Sequence, residues 1–124
     1  HAGLWAAKAP FVFVAPCDMP FLQPGLVQAL LAEVDGGADV VIPLKENGRM
    51  EPLCAVYSKA CLPHIQVQLA DGDCKIIRFF DKIRVRTVPV ARLRVADPDL
   101  LSFVNLNTPD ELAQARALAT SRRV

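Results

Sequence analysis

Apolar residues in this chain gather in short runs, and the spacing within each run changes along the sequence. Phe11 to Ala15 is continuously apolar and rich in Phe and Val, which predicts a strand buried on both faces and central in its sheet. Pro16 to Gln23 reads as loop. From Pro24, a good first-turn residue, Leu26, Val27, Leu30, Leu31 and Val34 recur on one helical face. The stretch Asp35 to Asp39 ends that helix, and Val40 to Pro43 reads as a second buried strand. The opening order is therefore strand, helix, strand, a βαβ unit.

Asn47-Gly48 marks a turn, and Pro52 to Tyr57 reads as a further strand. Ser58 to Ala70 predicts a helix disturbed at Pro63. Asp73 is placed to cap a short helix reaching Phe80, Val85 to Val90 predicts a strand, and Ala96 to Asp99 a loop. Near the end, Thr108, Pro109 and Glu111 form a capping box with proline in the first turn. Leu112, Ala115 and Leu118 supply the apolar stripe of the helix that follows. No internal repeat or linker interrupts the pattern, so residues 1–124 read as a single α/β domain.

Composition adds limits. Of the 124 residues, 52% are hydrophobic and 22% charged, which suits a folded domain. The formal net charge of +1 gives no bulk attraction for nucleic acid or an anionic membrane. No apolar run approaches the roughly 20 residues that span a bilayer, and no basic-then-apolar leader opens the chain. The four cysteines, Cys17, Cys54, Cys61 and Cys74, form no C-x-x-C pair, which argues against structural zinc. They are expected to be reduced thiols of a cytoplasmic protein.

The residues that could carry chemistry lie in loops. Asp18 follows the first strand, where open α/β sheets bind ligands, and a carboxylate there suits Mg²⁺ shared with phosphate. Its residue type equally suits capping a local turn. Arg49 could grip a phosphate or carboxylate, or stand solvated beside Glu46 and Glu51. Asn105 and Asn107 precede a helix N-terminus, where they could meet an anion, a metal or a base, or form the turn. Lys75 and Arg78 are one helical turn apart and by default solvated; His64 reads as an ordinary helix residue. There is no G-x-x-x-x-G-K-[ST], no G-x-G-x-x-G and no readable nucleophile–histidine set.

Taken together, four segments resemble the molybdenum cofactor guanylyltransferase (MobA-like) family of nucleotidyltransferases. They are "HAGL", "PCDMPFLQPGLVQAL", "GRMEPLCAVYSKACLPHI" and "FVNLNTPDELAQA", in the family's order and spacing over nearly the whole chain. The resemblance implies a three-layer α/β/α sandwich around a mostly parallel sheet, of the nucleotide-diphospho-sugar transferase type. It implies transfer of GMP from GTP to molybdopterin with Mg²⁺ and release of pyrophosphate. By the same resemblance Asp18 is the metal ligand and touches the nucleotide, and Gly3 lies in the segment approaching the nucleotide. Arg49, Lys75, Asn105 and Asn107 would hold the second substrate.

The family's Gly-rich loop, of the type L-A-G-G-x-S-x-R-M-G-x-D-K, does not occur in these residues. The chain thus corresponds to the C-terminal portion of such an enzyme, with the sheet incomplete at its N-terminal side, and is expected to be inactive by itself. A non-catalytic cofactor-binding module and a CTP-using cytidylyltransferase are the alternatives. An incomplete sheet is further expected to associate, as a homodimer or with the missing N-terminal half.

Overall fold

The computed structural model describes residues 1–104 and 108–121. Its elements are α1 (Ala2–Ala6), β1 (Phe11–Val14), α2 (Pro24–Ala32), β2 (Val40–Leu44), β3 (Ala55–Ser58), α3 (Leu62–Ala70), β4 (Val85–Pro89), α4 (Val90–Leu93) and α5 (Pro109–Ser121). Short 3₁₀ segments cover Lys59–Cys61, Ile76–Lys82 and Leu101–Phe103.

The four strands form one mixed sheet in the order β1-β3-β2-β4. β3 runs antiparallel to both β1 and β2, and β2 runs parallel to β4. β1, β2 and β4 therefore point one way, and β3 is the single reversed strand. The carboxyl ends of β1, β2 and β4 consequently open on the same side of the sheet.

Alternation along the strands sends side chains into two cores. Val41, Val56 and Val88, with Phe11 and Phe13 packed against them, meet Leu26 and Leu30 of α2 and Val90 and Leu93 of α4. On the opposite face Val40, Ile42, Ala55 and Tyr57 meet Leu4 of α1, Cys61 and Phe79, with Val12, Val14 and Ile65 alongside. Helices thus cover both faces, as a three-layer α/β/α arrangement requires.

Two sequence expectations are corrected here. β1 is not central among the described strands: it pairs with β3 on one side only, and all four of its residues are half-buried. An apolar run signals covered faces, and both faces of β1 are covered; it carries no information about neighbours along the sheet. The predicted strand Pro52–Tyr57 starts later, at Ala55, because Pro52 to Cys54 make a turn closed by Cys54 N–H donating to the Glu51 carbonyl at 3.1 Å.

Local signals elsewhere behave as their chemistry dictates. Gly36 and Gly37 adopt φ of 96° and 90° between α2 and β2, the left-handed region that glycine tolerates. Pro63 restarts the helix instead of bending it: a 3₁₀ turn ends at Cys61, and α3 begins at Leu62 with proline in its first turn. The segment after Asp73 is 3₁₀ and not α. Asp73 Oδ1 accepts from Lys75 N–H at 3.0 Å and so shapes the turn ahead of that segment. At α5, Thr108 Oγ1 accepts from Glu111 N–H at 3.1 Å and Glu111 Oε2 from Thr108 N–H at 3.2 Å, a reciprocal capping box. Of the expected α5 stripe, Ala115 is buried and Leu112 exposed.

Candidate functional site

Three loops leave the carboxyl ends of the co-directional strands: Ala15–Gln23 after β1, Lys45–Arg49 after β2, and the segment from Val90 to Val104 after β4. Ligands of open α/β sheets bind beyond such ends. Asp18 lies in the first loop, four residues past the end of β1. Its Oδ1 is buried and receives no hydrogen bond, and no other hydrogen bond or ion pair to Asp18 exists among the described residues. The turn-capping role open to this residue from its sequence is therefore not the one it takes. A buried carboxylate oxygen without a protein partner is costly, and such a group in a native structure calls for a further partner, an ion, a ligand or an ordered water.

Arg49 belongs to the second loop. Its main-chain N–H donates to Asn47 Oδ1 at 3.0 Å and its carbonyl accepts from Lys45 N–H at 2.8 Å, which closes the turn after β2. Its side chain is exposed. The neighbouring carboxylates are engaged elsewhere, Glu51 with Lys45 at 2.6 Å and Glu46 with Arg94 at 3.7 Å. The Arg49 guanidinium has no ion-pair partner among the described residues. Beside this loop lies a hollow of about 340 Å³ lined by Lys45, Glu46, Asn47, Arg94, Leu100 and Phe103. Asn105 and Asn107 lie outside the described residues.

Gly3 and Lys75 belong to a different place. Gly3 lines an apolar hollow of about 370 Å³ on the α1/α3 face, with Val12, Val14, Leu69 and the neighbours of Lys75, Asp73 and Cys74. The space beside Gly3 is open, since an added Cβ would meet nothing within 4 Å. Lys75 itself is exposed, and Arg78 pairs with Asp73 at 3.2 Å. The structure thus brings Asp18 and Arg49 to one end of the sheet and sets Gly3 and Lys75 around a face.

Sequence reasoning overlooked Asp97 and Ser102. Both are buried polar residues, and Asp97 accepts from Leu101 N–H at 3.0 Å and Ser102 N–H at 2.9 Å. "ADPD" carries the composition of a solvated loop, so only its tertiary setting reveals them. Two thiols are chemically quiet. Burial, assisted by the carboxylates of Glu51 and Asp97, pushes Cys54 up to about 12, and burial chiefly pushes Cys61 to about 11. Among the described residues no three His, Cys, Asp or Glu side chains cluster as a metal site, and no helix is long and apolar enough to cross a membrane.

An α/β/α fold with a carboxylate beyond the strand ends is shared by many activities, and the comparisons narrow it to the nucleotidyltransferases. The family model described as MobA-like NTP transferase domain matches residues 1–87, and the chain belongs to that family. It is 44% identical over its whole length to a molybdenum cofactor guanylyltransferase of Desulfosudis oleivorans, covering 61% of that protein. It is 37% identical over 99% of its length to a probable molybdenum cofactor guanylyltransferase of Pelotomaculum thermopropionicum, covering 59%. Among solved structures, molybdopterin-guanine dinucleotide biosynthesis protein A from Archaeoglobus fulgidus superposes with a TM-score of 0.79 at 32% identity, over 90% of this chain and 56% of that one. The chain therefore spans between half and about three-fifths of the length of these curated relatives.

Proposed function

We propose that this chain is the C-terminal portion of a cytoplasmic guanylyltransferase that joins GMP to molybdopterin. The observation that carries the reading is the unpartnered, buried Oδ1 of Asp18 beyond the carboxyl end of β1. A hard carboxylate oxygen fits Mg²⁺, which commonly takes one or two carboxylates and completes its shell with phosphate oxygens and water. When bound, the metal would offset negative charge on the phosphates of GTP.

This chain's residues would then act as follows. Asp18 would hold the metal, whose positive charge would face the phosphates of the nucleotide. Gly3, around the face from Asp18, would leave open the space into which the nucleotide extends beside α1. Arg49, with no carboxylate partner among the described residues, would receive an anionic group of molybdopterin, with Asn105 and Asn107 directed to the same substrate; Lys75, set around the α1/α3 face, would contact molybdopterin apart from Arg49. A phosphate oxygen of molybdopterin attacks the α-phosphorus of GTP; the new P–O bond forms as the bond to the β-phosphate bridging oxygen breaks, and pyrophosphate leaves. Further cations around the triphosphate would come from outside these residues, which hold no glycine-rich phosphate loop.

The test is transfer of label by the whole gene product, supplied with molybdopterin, Mg²⁺ and either α-labelled GTP or α-labelled CTP. Label passing from GTP to the pterin is expected. Transfer from CTP alone would overturn the guanine assignment, and transfer from neither would favour a cofactor-binding module.

A further inference from the structure

The loop that carries Asp18 is anchored at two points. Met19 is buried in the core between the sheet and α2. At the loop's end the main-chain N–H of Gln23 donates to Ser102 Oγ at 2.9 Å, a contact across 79 positions of sequence. Gln23 Nε2 turns back to the Phe21 carbonyl at 2.8 Å, so the loop is also closed on itself. Asp18 receives no bond of its own among the described residues. Its position is therefore inherited from these anchors.

The second anchor is itself built with care. Asp97 is 2% exposed and Ser102 fully buried. The Asp97 carboxylate holds the amides of Leu101 and Ser102, and Leu100 N–H donates to the Asp97 carbonyl at 3.0 Å. Between them Leu100 takes φ 49° and ψ 42°, the one non-glycine residue at positive φ among the described residues. A leucine adopts that region only where its surroundings impose it. The joint is also tight at the start of α2: a Cβ added to Gly25 would stand 3.3 Å from the Ala96 carbonyl oxygen.

We infer that Asp97 and Ser102 are positioning residues for the metal carboxylate. Asp97 fixes the turn that presents the Ser102 hydroxyl, and that hydroxyl fixes the Asp18 loop through Gln23. The inference rests on the reading of Asp18 as a metal ligand. Partners that orient a ligand without touching the metal are commonly worth 10- to 100-fold in affinity.

The probe is Mn²⁺ binding to the whole gene product in the presence of GTP, read from the electron paramagnetic resonance signal of free Mn²⁺. Ser102→Ala is expected to weaken binding by about tenfold, at the lower end of that range. Val40→Ala, a truncation in the core on the opposite face of the sheet, lowers the melting temperature and leaves Mn²⁺ affinity as in the parent protein. Should Ser102→Ala fail to fold, Ser102→Cys fills nearly the same space with a weaker acceptor and is expected to shift affinity in the same direction. Asp18→Ala serves as the reference that abolishes binding. Ser102 variants binding Mn²⁺ like the parent while Asp18→Ala does not would overturn the positioning role. Undiminished binding by Asp18→Ala would instead remove the metal reading, and the positioning role with it.

Discussion

Asp18→Asn in the whole gene product is expected to lower GMP transfer by on the order of 10² or more at saturating Mg²⁺. Asparagine keeps the shape of the side chain and one carbonyl oxygen, so the loop between Met19 and Gln23 stays anchored. What disappears is the charge that balances a divalent cation. The change should also relieve an uncompensated buried carboxylate, because Oδ1 has no hydrogen-bond partner in the protein. Activity and stability are therefore expected to move in opposite directions, with turnover falling while the melting temperature holds or rises. Residues kept for folding do not behave in that way. Unchanged transfer, measured alongside unchanged Mn²⁺ dependence, would count decisively against Asp18 as the metal ligand.

The 124-residue polypeptide by itself is expected neither to transfer guanylate nor to remain monomeric. Its sequence holds no glycine-rich phosphate loop, and phosphoryl transfer depends on cations fixed around the phosphates. Its two sheet edges are not equivalent. At β4, Arg84 and Arg86 project charge, paired with Asp39 and Glu33, and Pro89 removes a donor. Lysine, arginine and proline are the usual guards of a free edge. β1 has none of these: its FVFV edge is half-buried and apolar, and its Val12 and Val14 open onto the apolar hollow. Trp5, 68% exposed, and the exposed Leu53, Leu69 and Ile77 extend the apolar surface. Self-association of the isolated polypeptide should therefore proceed through β1, and Val12→Lys should restore a 13.5 kDa species in sedimentation at micromolar concentration. A parent polypeptide that sediments as a stable 13.5 kDa monomer would refute this.

Much of the architecture was legible because it is written locally. The period of the α2 apolar face, the paired glycines before β2 and the Thr108–Glu111 capping box depend on residues within a few positions of one another. The position of β1 in the sheet was not legible, because its neighbour β3 arrives some forty residues later, pairing Phe11 with Ser58. The reversal of β3 was hidden for the same reason: "CAVYS" reads alike in either direction of pairing. α4 has four residues, too few to show a period.

At the site, Asp18 could be placed beyond a strand end from the sequence, while its want of a hydrogen-bond partner could not. The Gln23–Ser102 contact left no trace in the sequence, since a serine accepting a main-chain amide 79 positions away has no local signature.

The proposed role of Asp18 comes down to one bond, between its carboxylate and a divalent cation that would also bind the nucleotide's phosphates. Crystals of the whole gene product soaked with GTP and Mn²⁺ test it directly through the anomalous signal of manganese. The expected result is a peak about 2.1 Å from an Asp18 carboxylate oxygen, with phosphate oxygens completing the shell. A nucleotide-bound manganese held by other side chains, with Asp18 turned into a hydrogen bond of its own, would contradict it.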